Sequence, residues 1–137
     1  MKNENTEIVE GALAYRLIGL AMQVHRELGY GFLEKVYENS LMVLCQREGI
    51  RAKQQVPLKV RFQGVIVGDY FADLLVEDRV IVELKAGDGI APGHRAQMLN
   101  YLKTTGLELG LILNFGKRHL EHERLVRTRT SDVRDSQ

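Results

Sequence analysis

The chain has 137 residues, enough for one domain with a sizeable core, and 45% are apolar against 27% charged, which argues against global disorder. Nineteen basic residues against eighteen acidic leave the net charge near zero, so any case for a polyanion partner must rest on a local site. The lone cysteine excludes an internal disulfide or a cysteine metal cluster. No apolar run of about eighteen residues is present to span a membrane. The polar N-terminus lacks the apolar core of a signal peptide, which makes the cytoplasm the expected location.

From Glu7 to Leu28, apolar residues recur at helical spacing (Ile8, Leu13, Leu17, Ala21, Val24, Leu28), with Thr6 as the expected N-cap. Gly29-Tyr30-Gly31 breaks the chain. A second helix is expected from Leu33 to Glu48, with Leu33, Val36, Tyr37, Leu41, Leu44 and Cys45 on one face and Gly49 as its stop. Cys45 on that apolar face reads as a buried, inert thiol. The period then changes to two: Val56, Leu58, Val60 and Phe62 alternate with polar neighbours, as in a half-buried strand. Gly64 turns into a second strand, Val65 to Val76. Glu77-Asp78-Arg79 turns into a third, Val80 to Lys85. After a loop at 87–93, a third helix is expected from His94 to Thr104 and a last strand from Leu107 to Phe115. Gly116 ends it, and the charged tail from Lys117 is expected to fray. The order ααβββαβ predicts an α/β domain, a mixed sheet flanked by helices, over residues 1–116, followed by a tail at 117–137.

The hairpin at 73–85 carries the chemistry. If the turn occupies Glu77, Asp78 and Arg79, Val76 faces Val80, and counting outward sets Asp73 directly opposite Glu83. Directly opposed residues share a face with Cβ atoms about 4.5–5.5 Å apart, and Lys85, two residues on, shares it too. Two carboxylates at that separation repel by roughly 3 kcal/mol at an effective dielectric near 20. A divalent cation relieves the repulsion, and an all-oxygen donor set selects a hard ion, Mg²⁺ or Mn²⁺. Lysine beside it can balance charge or position a water for attack on a phosphodiester. The competing reading is a structural ion pair among Asp73, Glu83 and Lys85, and a one-residue slip of register would put the two acids on opposite faces. Glu34, in the first turn of the second helix, suits either a site or the helix dipole. Gln97 and Tyr101, four apart on one helix face with His94, suit either phosphate contacts or a solvated edge.

Together these segments resemble the PD-(D/E)xK nuclease superfamily, whose site is an Asp followed by Glu-x-Lys on the next strand: here Asp73 and Glu83-Leu84-Lys85. Gln97-Met98-Leu99-Asn100-Tyr101 is similar to the Q-x-x-x-Y helix of its RecB-like branch. Gly31 to Tyr37 is similar to the G-x-x-E-x-x-Y signature of a family of small proteins within it. The resemblance covers residues 6–116, and departs from the superfamily's name in having Ala72, not Pro, before Asp73. It implies a restriction-endonuclease-like core and catalytic roles for Asp73, Glu83, Lys85, Glu34, Gln97 and Tyr101. It also implies a Mg²⁺ (or Mn²⁺) site held by Asp73, Glu83, the Leu84 backbone carbonyl and, as an outer or second ligand, Glu34. The implied substrate is nucleic acid, DNA ahead of RNA, with a homodimer or larger complex left open. The rival readings are an accessory module of the same fold that grips nucleic acid or protein without turnover, and a structural partner subunit.

Overall fold

The computed structural model describes residues 4–127. Its elements run α1 (Glu4–Leu28), α2 (Glu34–Arg47), β1 (Ala52–Phe62), β2 (Val65–Val76), β3 (Val80–Lys85), α3 (Pro92–Thr105), β4 (Leu109–Asn114) and β5 (Glu121–Val126). One five-stranded sheet has the order β1-β2-β3-β4-β5. Only β3 and β4 are parallel, joined by the crossover helix α3. Both are covered on two faces, which is why all six residues of β4 are buried and why its sequence reads as a continuous apolar run. Among the described residues, no helix is long and apolar enough to cross a membrane.

Two cores flank the sheet. Leu13, Leu17, Tyr37 and Leu41 of α1 and α2 pack on Val80, Val82 and Leu84 of β3 and the even-facing residues of β2. On the opposite face Met98, Tyr101 and Leu102 of α3 pack on Ile81 and Ile112. Along β2 the allegiance changes: Leu74 and Val76 belong to the first core and Ala72 to the second. The change falls at Asp73, opposite which Gln55 sits at φ 53° and interrupts the β1–β2 ladder. A left-handed residue inside a strand adds local twist. Beyond this point β1 and β2 continue as a two-stranded ribbon, while the β2–β3 ladder spans only Leu74 to Val76 against Val80 to Val82.

Several sequence expectations are revised. Thr6 lies inside α1, which begins at Glu4, so it is not the N-cap. In α2 the buried stripe is Tyr37, Glu38, Leu41 and Cys45, whereas Leu33 is 81% exposed and Val36 also faces solvent. The i, i+4 row through Tyr37 faces the sheet and carries a glutamate inward with it. Cys45 is buried as expected, and burial pushes its thiol up to about 11, so it stays protonated at neutral pH. The expected tail from Lys117 contains β5, an edge strand paired antiparallel to β4. Its Glu-His-Glu-Arg-Leu-Val sequence hides it, because the charges that suggest a tail have fixed partners. Glu123 accepts from Arg95 of α3 at 2.6 Å and Glu121 from the Asn114 amide at 2.9 Å. The remainder of that tail, 128–137, lies outside the described residues.

Asn114, fully buried at the end of β4, ties down the loop that follows Lys85. Its amide donates to the Gly87 carbonyl at 3.1 Å, and its oxygen accepts from the Gly87 and Gly116 amides. Gly116 packs so closely on this loop that a Cβ there would overlap the backbone of Ala86 and Gly87. Gly116→Ala should therefore cost about 2 kcal/mol or more of unfolding free energy in chemical denaturation. An unchanged midpoint would show that this packing does not constrain the loop.

Candidate metal centre

The turn count locates the acids correctly. Val76 pairs with Val80, and Glu77 and Asp78 supply the two left-handed residues of the turn. The same register carried outward sets Asp73 against Glu83, one step past the last backbone pair. The strands part here, and the two carboxylates fill the gap. The Asp73 amide donates to Glu83 Oε2 at 2.6 Å, and the Leu84 amide donates to Asp73 Oδ2 at 2.8 Å. Each acid thus replaces a ladder hydrogen bond that the neighbouring strand no longer provides. In an extended strand a residue's N–H and C=O point to the same side, so the Leu84 carbonyl also faces this gap.

Glu83 is 6% exposed, and its carboxyl is pushed up to about 7. Burial is the main cause and the Asp73 carboxylate the next, with Glu34 adding to them. The Asp73 amide and the Lys85 ammonium oppose the shift without cancelling it. Lys85 is thus close enough to act on Glu83, as a residue two positions along the same strand face must be. The ion-pair alternative does not describe Asp73, whose hydrogen-bond partners are the Leu84 amide and, at 3.3 Å, Gln55.

The helices approach from opposite sides of the sheet. Tyr101 comes from α3, and its hydroxyl is pushed up to about 12 by burial and then by the Glu83 and Asp73 charges. It therefore remains a hydrogen-bond donor at neutral pH. Gln97, one turn earlier, lines the groove that Tyr101 also borders. His94 does not join them, because its Nδ1 accepts the Ala91 amide at 3.0 Å and caps α3. Glu34 comes from the N-terminus of α2, is exposed, and reaches Glu83 through its charge. Among the described residues, no group of three or more His, Cys, Asp or Glu converges to hold an ion. The donors gathered at the gap are two carboxylates and a backbone carbonyl, with Glu34 outside them. Tyr37 fixes where Glu34 stands, since its hydroxyl donates to the Gly29 carbonyl at 2.7 Å and accepts the Phe32 amide at 3.2 Å.

Two polar residues of this network escaped the sequence reading. Glu38 is 3% exposed and accepts from Lys35 at 3.0 Å, Gln54 at 2.6 Å and Gln55 at 3.0 Å. Through Gln55 it is linked to Asp73. The available signal was its position four residues after Glu34, one turn along the same helix face. Gln55 left no signal beyond a polar residue at the start of a strand.

The donor set is all oxygen, carries up to two negative charges and is partly buried, which fits a hard divalent cation. The class the fold and site define is an α/β domain with opposed acids and a lysine where two strands part. The chain belongs to the PD-(D/E)XK nuclease superfamily, whose model matches residues 11–127, and members of that superfamily generally use divalent metal ions. Two solved structures are similar. One is the crystal structure of SSO0001, at 17% identity and TM-score 0.51, with 74% of this chain and 55% of that chain covered. The other is an alkaline exonuclease from Laribacter hongkongensis, at 14% identity and TM-score 0.51, with 69% and 56% covered. These identities establish the fold alone, the expected restriction-endonuclease-like α/β core. The chain spans just over half the length of either protein. No curated protein gives a significant match.

Proposed function

We propose that this chain is a Mg²⁺-dependent (or Mn²⁺-dependent) nuclease that hydrolyses DNA phosphodiester bonds, working in the cytoplasm. We also place it in the GxxExxY family of the RecB-like branch, on the residues Gly31, Glu34, Tyr37, Gln97 and Tyr101. One observation carries the catalytic reading: Asp73 and Glu83 are held face to face in a gap between strands, each fixed by a backbone amide. A scaffold gains nothing from a half-buried carboxylate set against a buried one. A cation site requires them.

Asp73, Glu83 and the Leu84 carbonyl would hold the ion, with Glu34 contributing from farther out. When bound, such an ion supplies Lewis-acid polarisation of the phosphoryl group and neutralises the charge that develops on it. The chain's own residues do the rest. The Leu84 amide and Gln55 orient Asp73, so its oxygens do not have to be ordered during the reaction. The Lys85 ammonium stands beside Glu83, where it can donate to a phosphate oxygen or hold the attacking water. Tyr101, protonated, donates a hydrogen bond from the α3 side. Gln97 offers an amide to the strand lying along α3.

Incubation with labelled single- and double-stranded DNA in Mg²⁺, in Mn²⁺ or in EDTA tests the proposal. Cleavage with either metal that EDTA abolishes is the expected result. Nucleic-acid binding with no turnover in either metal would favour the accessory-module reading instead.

A further inference from the structure

Beside the acids, a groove of about 900 Å³ runs between α3 and the β1–β2 ribbon. Its walls carry three cations, Lys59, Arg61 and Lys103, and no carboxylate. Lys59 is paired with Asp69. Arg61 and Lys103 are exposed and have no acidic partner among the described residues. Three cations and no carboxylate thus line the groove that Tyr101 borders, next to the acidic gap. Tyr70 projects from the ribbon into this groove. It is 47% exposed, and its ring centroid lies 6.0 Å from that of Tyr101, tilted by 53°.

We infer that this groove binds single-stranded DNA, with its backbone on Arg61 and Lys103 and a base stacked on Tyr70, and that it leads the strand to Asp73 and Glu83. The cations alone would suit any polyanion. The half-exposed ring is the discriminating feature, because an aromatic platform gains stacking energy only from a base whose face is free. In a duplex the bases are already stacked on one another, so Tyr70 would have nothing to receive. The Asn100 and Gln97 amides on the α3 wall add donors and acceptors without demanding a particular base. The inference rests on the nucleic-acid reading above, but not on catalysis.

The test is fluorescence anisotropy on the full chain in EDTA, with a labelled oligothymidylate of about twenty nucleotides, longer than the ~4–16 nucleotides such grooves occupy. A duplex of equal length and an oligouridylate are the comparators. The single-stranded DNA should bind roughly ten-fold or more tightly than the duplex. Tyr70→Ala should weaken that binding by about ten-fold, and Tyr70→Phe should restore it, which separates stacking from misfolding. Replacing Arg61 and Lys103 together by Ala should make the salt dependence shallower by roughly 1.4, about 0.7 for each phosphate that is no longer neutralised. Equal affinity for duplex, tighter binding of oligouridylate, or a Tyr70→Ala variant with parental affinity would each overturn the inference, even if metal-dependent cleavage were intact. Conversely, selective binding that depends on Tyr70, with no cleavage in any metal, would sustain this groove while removing the nuclease reading.

Discussion

Asp73→Asn should lower metal-dependent cleavage by roughly a thousand-fold or more, because a hard ion loses a charged oxygen and with it several kcal/mol of transition-state stabilisation. The same variant should fold normally, with an unfolding free energy within about 1 kcal/mol of the parent in EDTA. Two effects offset each other. Removing one charge relieves repulsion with Glu83, and the asparagine oxygen can still accept the Leu84 amide. Against this, the new amide group faces Gln55, whose own amide nitrogen already points at Asp73. Calorimetric titration with Mg²⁺ or Mn²⁺ should show metal binding lost together with activity. A variant several kcal/mol less stable that still binds metal like the parent would identify Asp73 as a structural residue, and the proposed catalysis would fall with it.

The placement of Asp73 against Glu83 was legible because it depends on local rules. Turn length fixes register, and register fixes which side chains share a face. Within β3, Val80, Val82 and Leu84 face the core under α1 and α2, which leaves Glu83 and Lys85 on the other face. The order of the helices and of four strands follows from the same periodicities. What the sequence conceals is long-range. That α2 and α3 lie on opposite faces, so that Glu34 and Tyr101 approach the acids from different sides, depends on how each helix packs on strands distant from it in the chain. Gln55 has no local reason to adopt a left-handed conformation. It does so where β1 and β2 exchange one core for the other, and that exchange also opens the gap the carboxylates fill. β5 is hidden for a different reason. Its charges are neutralised by partners on α3 and β4, so a segment that reads as solvated completes the sheet. The basic groove is equally invisible, since Lys59 and Arg61 alternate along an ordinary amphipathic strand and Lys103 is one exposed lysine on a helix.

Glu83 should make the metal-free protein less stable as pH rises. Its folded carboxyl titrates near 7 against an ordinary value of 4.5, so between those values the folded state holds a proton that the unfolded chain has released. Stability then falls with increasing pH across that window and levels off above it. A displacement of this size corresponds to about 3 kcal/mol at full expression. Glu83→Gln keeps an oxygen for the Asp73 amide and cannot ionise, so the difference between the two proteins isolates this one group. Urea denaturation in EDTA at successive pH values should show the parent losing stability relative to the variant from about pH 4.5 to 7. Mg²⁺ should reverse the trend in the parent only, because binding favours the ionised carboxylate, and apparent metal affinity should weaken as pH falls below about 7. Parallel pH profiles for parent and variant, with and without metal, would mean that Glu83 is neither strained by Asp73 nor relieved by an ion. The acid pair would then be only an element of the fold.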